Sequence, residues 1–328
     1  MKSKFFLTRR ALAGAAALAC AAPLGAWAQA APAAKPIRLI VPLAAGSTVD
    51  AIARAVAPSF SRTTGHPVVV ENVAGAGGIP GTSQVVKAAK DGMVLGMISS
   101  NHVINPSIYK SIPFDSLKDI TPIAVLATVP LVLVVHAGLP VKTVGELLAY
   151  AKAHPGSLNF GSAGNGSTLH LAGELLVSET GMEIKHVPYR GTGPLITDLI
   201  GGQVQLGFVS ISQVAAQVKA GTLRALAVST RQRSAALPDV PTLAEAGVPK
   251  YAFDAWVALM GPSGLPKPLV DSYAAAISTA IASPEARAAV MGQGLMVLDM
   301  GPDTAPGFFQ SELLKHQKLV KQSGATLD

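Results

Sequence analysis

The sequence predicts a pair of α/β domains closing around a cleft. Short apolar, β-branched runs alternate with helical patterns, and loops of small polar residues separate them. Two longer apolar stretches, 120–135 and 255–261, lie near the places where one such series gives way to another. The chain has 328 residues, 49% hydrophobic and 14% charged, so it is too apolar for a disordered chain and long enough for two domains at about 100–200 residues each.

The elements follow in order. IRLIV at 37–41 is a strand, a Gly/Ser/Thr turn follows, and a helical pattern runs over 48–61. Residues 68–70 form a second strand, leading through the 75–81 loop into an Ala/Val/Lys-rich helix. Residues 94–98 form a third, ending in the polar loop 99–105. A second series opens with Thr143 capping a helix over 144–153, which His154-Pro155-Gly156 stops. Strands over 158–160, 184–187, 204–209 and 225–228 then alternate with helices over 170–180, 195–201 and 213–220. This alternation predicts parallel sheets covered on both faces. If 120–135 and 255–261 both cross between domains, the chain leaves the first domain (36–127), builds the second (128–254) and returns to finish the first (255–328) with helices over 268–282 and 305–320. Two crossings make a hinge.

Ahead of these elements, a basic start (Lys2, Lys4, Arg9, Arg10), an apolar stretch over 11–25 and Ala26-Trp27-Ala28 read as an export signal over 1–28, cleaved after Ala28. Thr8-Arg9-Arg10 also fits a twin-arginine signal, and Cys20, the one cysteine, is an alternative lipidation site. Without the four leader cations the chain has 22 basic against 19 acidic residues, a net charge of +3 instead of +7. So small an excess, with 5% aromatic residues, gives no basis for nucleic-acid binding. The expected product is a soluble monomer outside the cytoplasmic membrane.

Three segments share one physical design, a strand end, small polar residues and a helix start: AAGSTVD at 44–50, SSNHVIN at 99–105 and GSAGNGSTLH at 161–170. Unpaired N–H groups and a partial positive charge at a helix start favour carboxylate or phosphate, and glycine allows close approach. Each segment could equally be a plain capped loop, with Ser47 and Ser167 as N-caps. The 161–167 loop lacks the lysine of a nucleotide-binding P-loop, and Pro80 and Gly81 break the spacing of a dinucleotide fingerprint after GAGG at 75–78. No nucleophile elbow or zinc-binding H-E-x-x-H is present. His170 and Glu174 share a helix face but are too few for a metal site, and His66, His136, His154, His186 and His316 form no readable constellation. No cofactor or metal is indicated, and the rival reading, a periplasmic hydrolase or isomerase, lacks a nucleophile–base pair.

Taken together, PIRLIVP at 36–42, the loop leading to Asp50, VVEN at 69–72 with GAGG at 75–78, NPSIY at 105–109, GSAGNGS at 161–167 with HLAGE at 170–174, HVPYRG at 186–191, and LPDVPT at 237–242 with EAG at 245–247 resemble the Bug (TctC-like) extracytoplasmic solute receptors of tripartite tricarboxylate transporters. The resemblance covers the chain from Pro36 onward. It implies a type II-like periplasmic binding protein, a Venus flytrap that closes on a small organic carboxylate and presents it to a membrane permease of that transporter type. Carried over by position, the ligand-binding residues are Ala44, Ala45, Gly46, Ser47 and Thr48, then Ser162, Ala163, Gly164, Asn165, Gly166 and Ser167. Ser99, Ser100 and Asn101 match a further cleft-lining loop of these receptors, as do Tyr189, Arg190 and Gly191, and Ser210 matches a position near the ligand's far end.

Many relatives have glycine at Ser47, an aromatic residue at Leu43 and Asp or Asn near Ser210. Of the three loops only the first contains an acidic residue, Asp50, which the pattern places inside its helix. An amino-acid ammonium would lack a counter-ion, so a dicarboxylate or aromatic acid is expected.

Overall fold

The computed structural model describes residues 34–292 and 294–323. The proposed signal peptide, its cleavage point and Cys20 lie outside the described residues. Two sheets form. The first has strands β1 (Ile37–Val41), β2 (Val68–Asn72), β3 (Val94–Ser99), β4 (Ile120–Val129), β10 (Ala255–Pro262) and β11 (Met296–Met300), in the order β11-β4-β10-β3-β1-β2. The second has β5 (Leu131–His136), β6 (Asn159–Ser162), β7 (Lys185–Pro188), β8 (Leu206–Ser210) and β9 (Leu223–Val228), in the order β7-β6-β8-β5-β9.

The expectation of parallel sheets is corrected to mixed ones. Strands β1, β2 and β3 are parallel to one another, as are β6, β7 and β8, but β10 and β11 pair antiparallel in the first sheet and β5 pairs antiparallel with both β8 and β9. The reason is the crossing. Strands β5 and β10 each begin where the chain enters their sheet from the other one, beside the carboxyl ends of β8 and of β3 and β4, so they run opposite to those neighbours.

Alternation along β1 divides the first core. Ile37, Leu39 and Val41 face Ile52, Phe60 and Ile277 of helices α1 (Thr48–Thr64) and α8 (Lys267–Ile281), while Ile40 faces the opposite layer with Trp256 and Phe309. Helix α2 (Ile79–Val86) covers that second face through Val85, and α9 (Pro284–Gly292) adds Ala286 and Val290 to the first. Around the second sheet lie α4 (Val144–Ala153), α5 (Thr168–Thr180), α6 (Thr192–Ile200) and α7 (Ile211–Ala220). Each sheet with its helices is a lobe.

Helix α3 (Asn101–Ile108) corrects the expected polar loop over 99–105: Ser99 ends β3 and Asn101 begins a helix whose Val103, Ile104 and Ile108 are buried. Helix α10 (Ala305–Ser323) links the lobes. Phe309 belongs to the first core and Trp256 Nε1 donates to Glu312 Oε2 at 3.1 Å, whereas Leu319 and Val320 belong to the second core.

The register fixes the relative direction of the strands. Ala255 pairs with Val129 and Val257 with Ser99, so the carboxyl end of β3 lies beside the outward crossing. Leu131, the first residue after that crossing, pairs with Ser210, the last of β8. The carboxyl ends of the parallel strands in both sheets therefore meet where the chain passes between lobes. Ser229 ties the two passages, its N–H donating to Leu131 O at 2.8 Å and its Oγ accepting from Leu131 N at 3.0 Å, while Phe253 N donates to Ser229 O at 3.0 Å.

Candidate functional site

In the first lobe the loop after β1 is held from below. Ser47 Oγ accepts from Asp50 N at 3.3 Å as N-cap of α1, and the Asp50 carboxylate reaches back to accept from Gly46 N at 2.8 Å. Asp50 also accepts from Arg54 Nε at 3.0 Å and Asn72 Nδ2 at 3.0 Å, and Asn72 Nδ2 donates to Leu43 O at 3.2 Å. Burial pushes the Asp50 carboxyl up, but the bonds from Arg54, Gly46 and Asn72 outweigh it and hold it below the usual carboxylate range. Asp50 is thus a fully engaged part of the helix, as its pattern predicts. Ala44, Ala45 and Gly46 are exposed, and Gly46 takes a φ of 80° that suits glycine.

The corresponding loop of the second lobe is built the same way. Ser167 Oγ accepts from His170 N at 3.2 Å as N-cap of α5, Ser167 N donates to Gly164 O at 3.1 Å, and Gly166 N donates to His170 Nδ1 at 3.0 Å. Gly164 and Gly166 have φ of 126° and 70°. Asn165 is exposed at the tip, and Ala163 is half-buried. Ser162 is fully buried, its Oγ donating to Gly164 O at 3.0 Å and accepting from Gly164 N at 3.2 Å.

The N–H groups of Gly46, Gly164 and Gly166 are therefore spent on shaping their loops. What the loops leave toward the cleft is the first helical turn, where N–H groups have no intrahelical acceptor, and the O–H protons of Ser47 and Ser167, whose oxygens do the capping.

The two lobes touch at their helix starts. Thr168 Oγ1 donates to Asn101 Oδ1 at 3.2 Å, and Gly166 lies so close to α3 that a Cβ there would sit 2.4 Å from Ile108 Cδ1. Ser99, Asn101 and Leu43 border one shallow pocket with Pro42, Gly77 and His102, and the Ser100 hydroxyl is buried just behind it. Tyr189 N donates to Ser162 O at 3.0 Å, which holds the 189–191 segment beside the Gly/Ser loop. Its hydroxyl, pushed up to about 12 by burial and by Asp198, donates to Asp198 Oδ2 at 2.8 Å. Arg190 is exposed, Gly191 with φ of 112° precedes α6, and the Ser210 hydroxyl does not cap α7. Among the described residues no hydrogen bond joins the 44–48 loop directly to the 162–167 loop.

His186 overturns the statement that it has no constellation. Its Nε2 lies 2.6 Å from Ser162 Oγ, its ring stacks on His170 with centroids 3.8 Å apart, and His170 Nε2 lies 3.3 Å from Glu174 Oε1. Burial, with His170 adding to it, holds the His186 ring down at about 4. A serine–histidine pair is thus present, contrary to the sequence reading. Ser162 Oγ is sealed from the cleft and already bonded to Gly164, so the pair anchors the loop from behind.

Residues 52–325 match the family described as the tripartite tricarboxylate transporter family receptor, TctC. The chain belongs to that family. The protein BugT of Bordetella pertussis is 36% identical over 296 residues, 90% of this chain and 91% of that protein. Among solved structures, Rpa4515 of R. palustris with adipate superposes with a TM-score of 0.78 at 33% identity, covering 89% of this chain and 98% of that one. MatC from Rhodopseudomonas palustris with bound malate gives 0.74 at 30% identity, covering 87% and 98%. The two-domain periplasmic binding-protein fold of these receptors is that of this chain, and the two neighbours just named hold adipate and malate.

Proposed function

We propose that this chain is a periplasmic receptor, exported by residues 1–28, that captures a small dicarboxylate or aromatic carboxylate and passes it to a permease of the tripartite tricarboxylate type without transforming it. The observation that carries the reading is the hydrogen bond between Asn101 and Thr168, which brings a helix start of one lobe against a helix start of the other. An anion between them meets two sets of first-turn N–H groups and two positive dipole ends. The proposed contacts are Ala44 to Thr48 and Ala163 to Ser167, with Ser99, Ser100, Asn101, Tyr189, Arg190, Gly191 and Ser210 around them; Ser162, expected among them, is fully buried and supports the loop from behind. The proposed lobes are 36–129 with 255–328, and 131–254, two residues beyond the expected break at 127/128 because β4 runs on to Val129; they rotate about the two passages, and a ligand that touches both lobes favours the closed arrangement.

Asp50 supports an acid without an ammonium, because its carboxylate is saturated by Arg54, Gly46 and Asn72. Relatives solved with adipate and malate point to the same class. Thermal-shift and calorimetric screening against mono-, di- and tricarboxylates and aromatic acids tests the reading. At a hundredfold excess over Kd a true ligand stabilises by about 2.7 kcal/mol, a rise of several degrees in Tm, and Ser167→Trp should abolish it. Tight binding of glutamate or aspartate with no response to such acids, or turnover of the bound acid, overturns it.

A further inference from the structure

Away from the cleft, a cavity of about 340 Å³ opens between the end of α5, the last turns of α10 and the segment that returns to β10. Four basic side chains, Arg231, Lys250, Lys315 and Lys318, line it against two carboxyls, Glu179 and Asp254. Lys315 is engaged with Glu312 Oε1 at 3.2 Å, but Arg231, Lys250 and Lys318 have neither a hydrogen bond nor an ion pair among the described residues. Asp254 is different in kind: its Oδ1 is buried and has no donor. Buried polar atoms are ordinarily satisfied, and a volume in this range is that of a small-molecule site. The cavity therefore offers unused cations at its rim and one unused acceptor within.

A guest that answers both needs is negatively charged and still has a proton to give. We infer that this cavity binds a hydrogen-bearing oxyanion, hydrogenphosphate being the simplest, with Arg231, Lys250 and Lys318 holding the charge and Asp254 Oδ1 accepting the anion's O–H. Burial pushes Asp254 up to about 6, Lys315 and Arg231 opposing and Glu312 adding to the rise, so at pH 7.5 the carboxyl is mainly ionised and acts as an acceptor. Sulfate at that pH has no proton and sets a bare oxygen against a carboxylate. The site then selects phosphate over sulfate by the cost of that repulsion and of the missing bond, about tenfold or more.

Calorimetry on the full chain in low-salt buffer at pH 7.5, with inorganic phosphate, sulfate and methyl phosphate, tests the assignment. Phosphate should bind one to one, with sulfate and the proton-free methyl phosphate at least tenfold weaker. The exposed double substitution Lys250→Ala/Lys318→Ala should remove phosphate binding, while Ser167→Trp in the cleft should leave it intact. Asp254→Asn, which offers an N–H, should bring sulfate to within a few fold of phosphate. No phosphate binding, or binding that survives the double substitution, overturns the site. Equal affinity of the unaltered protein for the three anions overturns the role of Asp254 and points to esters or to unselective charge attraction. Loss of phosphate binding in Ser167→Trp moves the anion to the cleft and overturns the cavity.

Discussion

Asp50 and the buried histidines show how much single residues contribute to shaping the binding loops. Asp50→Asn removes the charge that accepts from Gly46, Asn72 and Arg54, and should lower stability by about 1–2 kcal/mol in urea titrations, because Arg54 is half-exposed and its ion pair is screened. Its folded carboxyl titrates below its ordinary value of 3.8, so this contribution is complete above that pH and disappears as pH falls through the folded value. His102 and His186 are both held down at about 4 by burial, against an ordinary 6.5. The unfolded chain takes up protons in that interval that the folded chain refuses, so their contribution is complete above pH 6.5 and is lost toward pH 4; for fully buried His102 it amounts to about 2–3 kcal/mol. Asp254, raised to about 6 from 3.8, has the opposite sign, since the folded state keeps its proton longer. Urea midpoints at pH 7.5 and 5 should fall on acidification, less steeply in His186→Gln and more steeply in Asp254→Asn; an unchanged slope in both variants refutes the assignment. The caps at Ser47 and Ser167 were legible because cap and helix are adjacent in sequence. His186 was not, because its partner Ser162 is 24 residues away and reaches it only through the pairing of β6 with β7.

Among the elements, the contact between α3 and the loop before α5 depends on Gly166. A side chain there meets Ile108, and the left-handed φ of 70° adds about 1–2 kcal/mol for any L-residue. Gly166→Ala should weaken carboxylate affinity by at least tenfold in calorimetry, with Ile108→Ala in the same chain restoring part of it; full affinity in Gly166→Ala would show that the helix starts need not approach so closely. The strand and helix alternation could be read from the sequence because apolar runs and small-residue loops are local signals. Helix α3 was hidden since Asn101, Asn105 and Pro106 look like loop residues, while Val103, Ile104 and Ile108 gain their meaning only from the packing they make. The antiparallel strands escaped too, because neighbours such as β10 and β4 are more than a hundred residues apart and periodicity has no information on who pairs with whom.

At the scale of the whole molecule, α10 couples the lobes. Phe309 lies in the first core and Leu319 in the second, so cutting back Leu319 should be felt in both. Leu319→Ala should cost about 2–4 kcal/mol. Trp256 sits in the first sheet and would be the one tryptophan of a chain cleaved at the proposed point after Ala28, so in a protein prepared without residues 1–28 its fluorescence reports that sheet. The Trp256 transition should move to lower urea in step with circular dichroism; an unmoved fluorescence midpoint would show that the lobes unfold separately. The two-lobe plan was visible in the apolar stretches at 120–135 and 255–261, yet nothing in composition announced that the last helix would straddle both.

Strand β10 lies between β4 and β3, in the middle of the first sheet, although the entire second sheet precedes it in the chain. An emerging polypeptide halted anywhere before residue 255 holds a sheet with a gap at its centre, and the edges of β3 and β4 that face the gap have no partner. The first lobe is begun early and completed late. Such a chain stays loose through most of its synthesis, and its slow step is the insertion of a keystone across more than a hundred residues of already ordered neighbour.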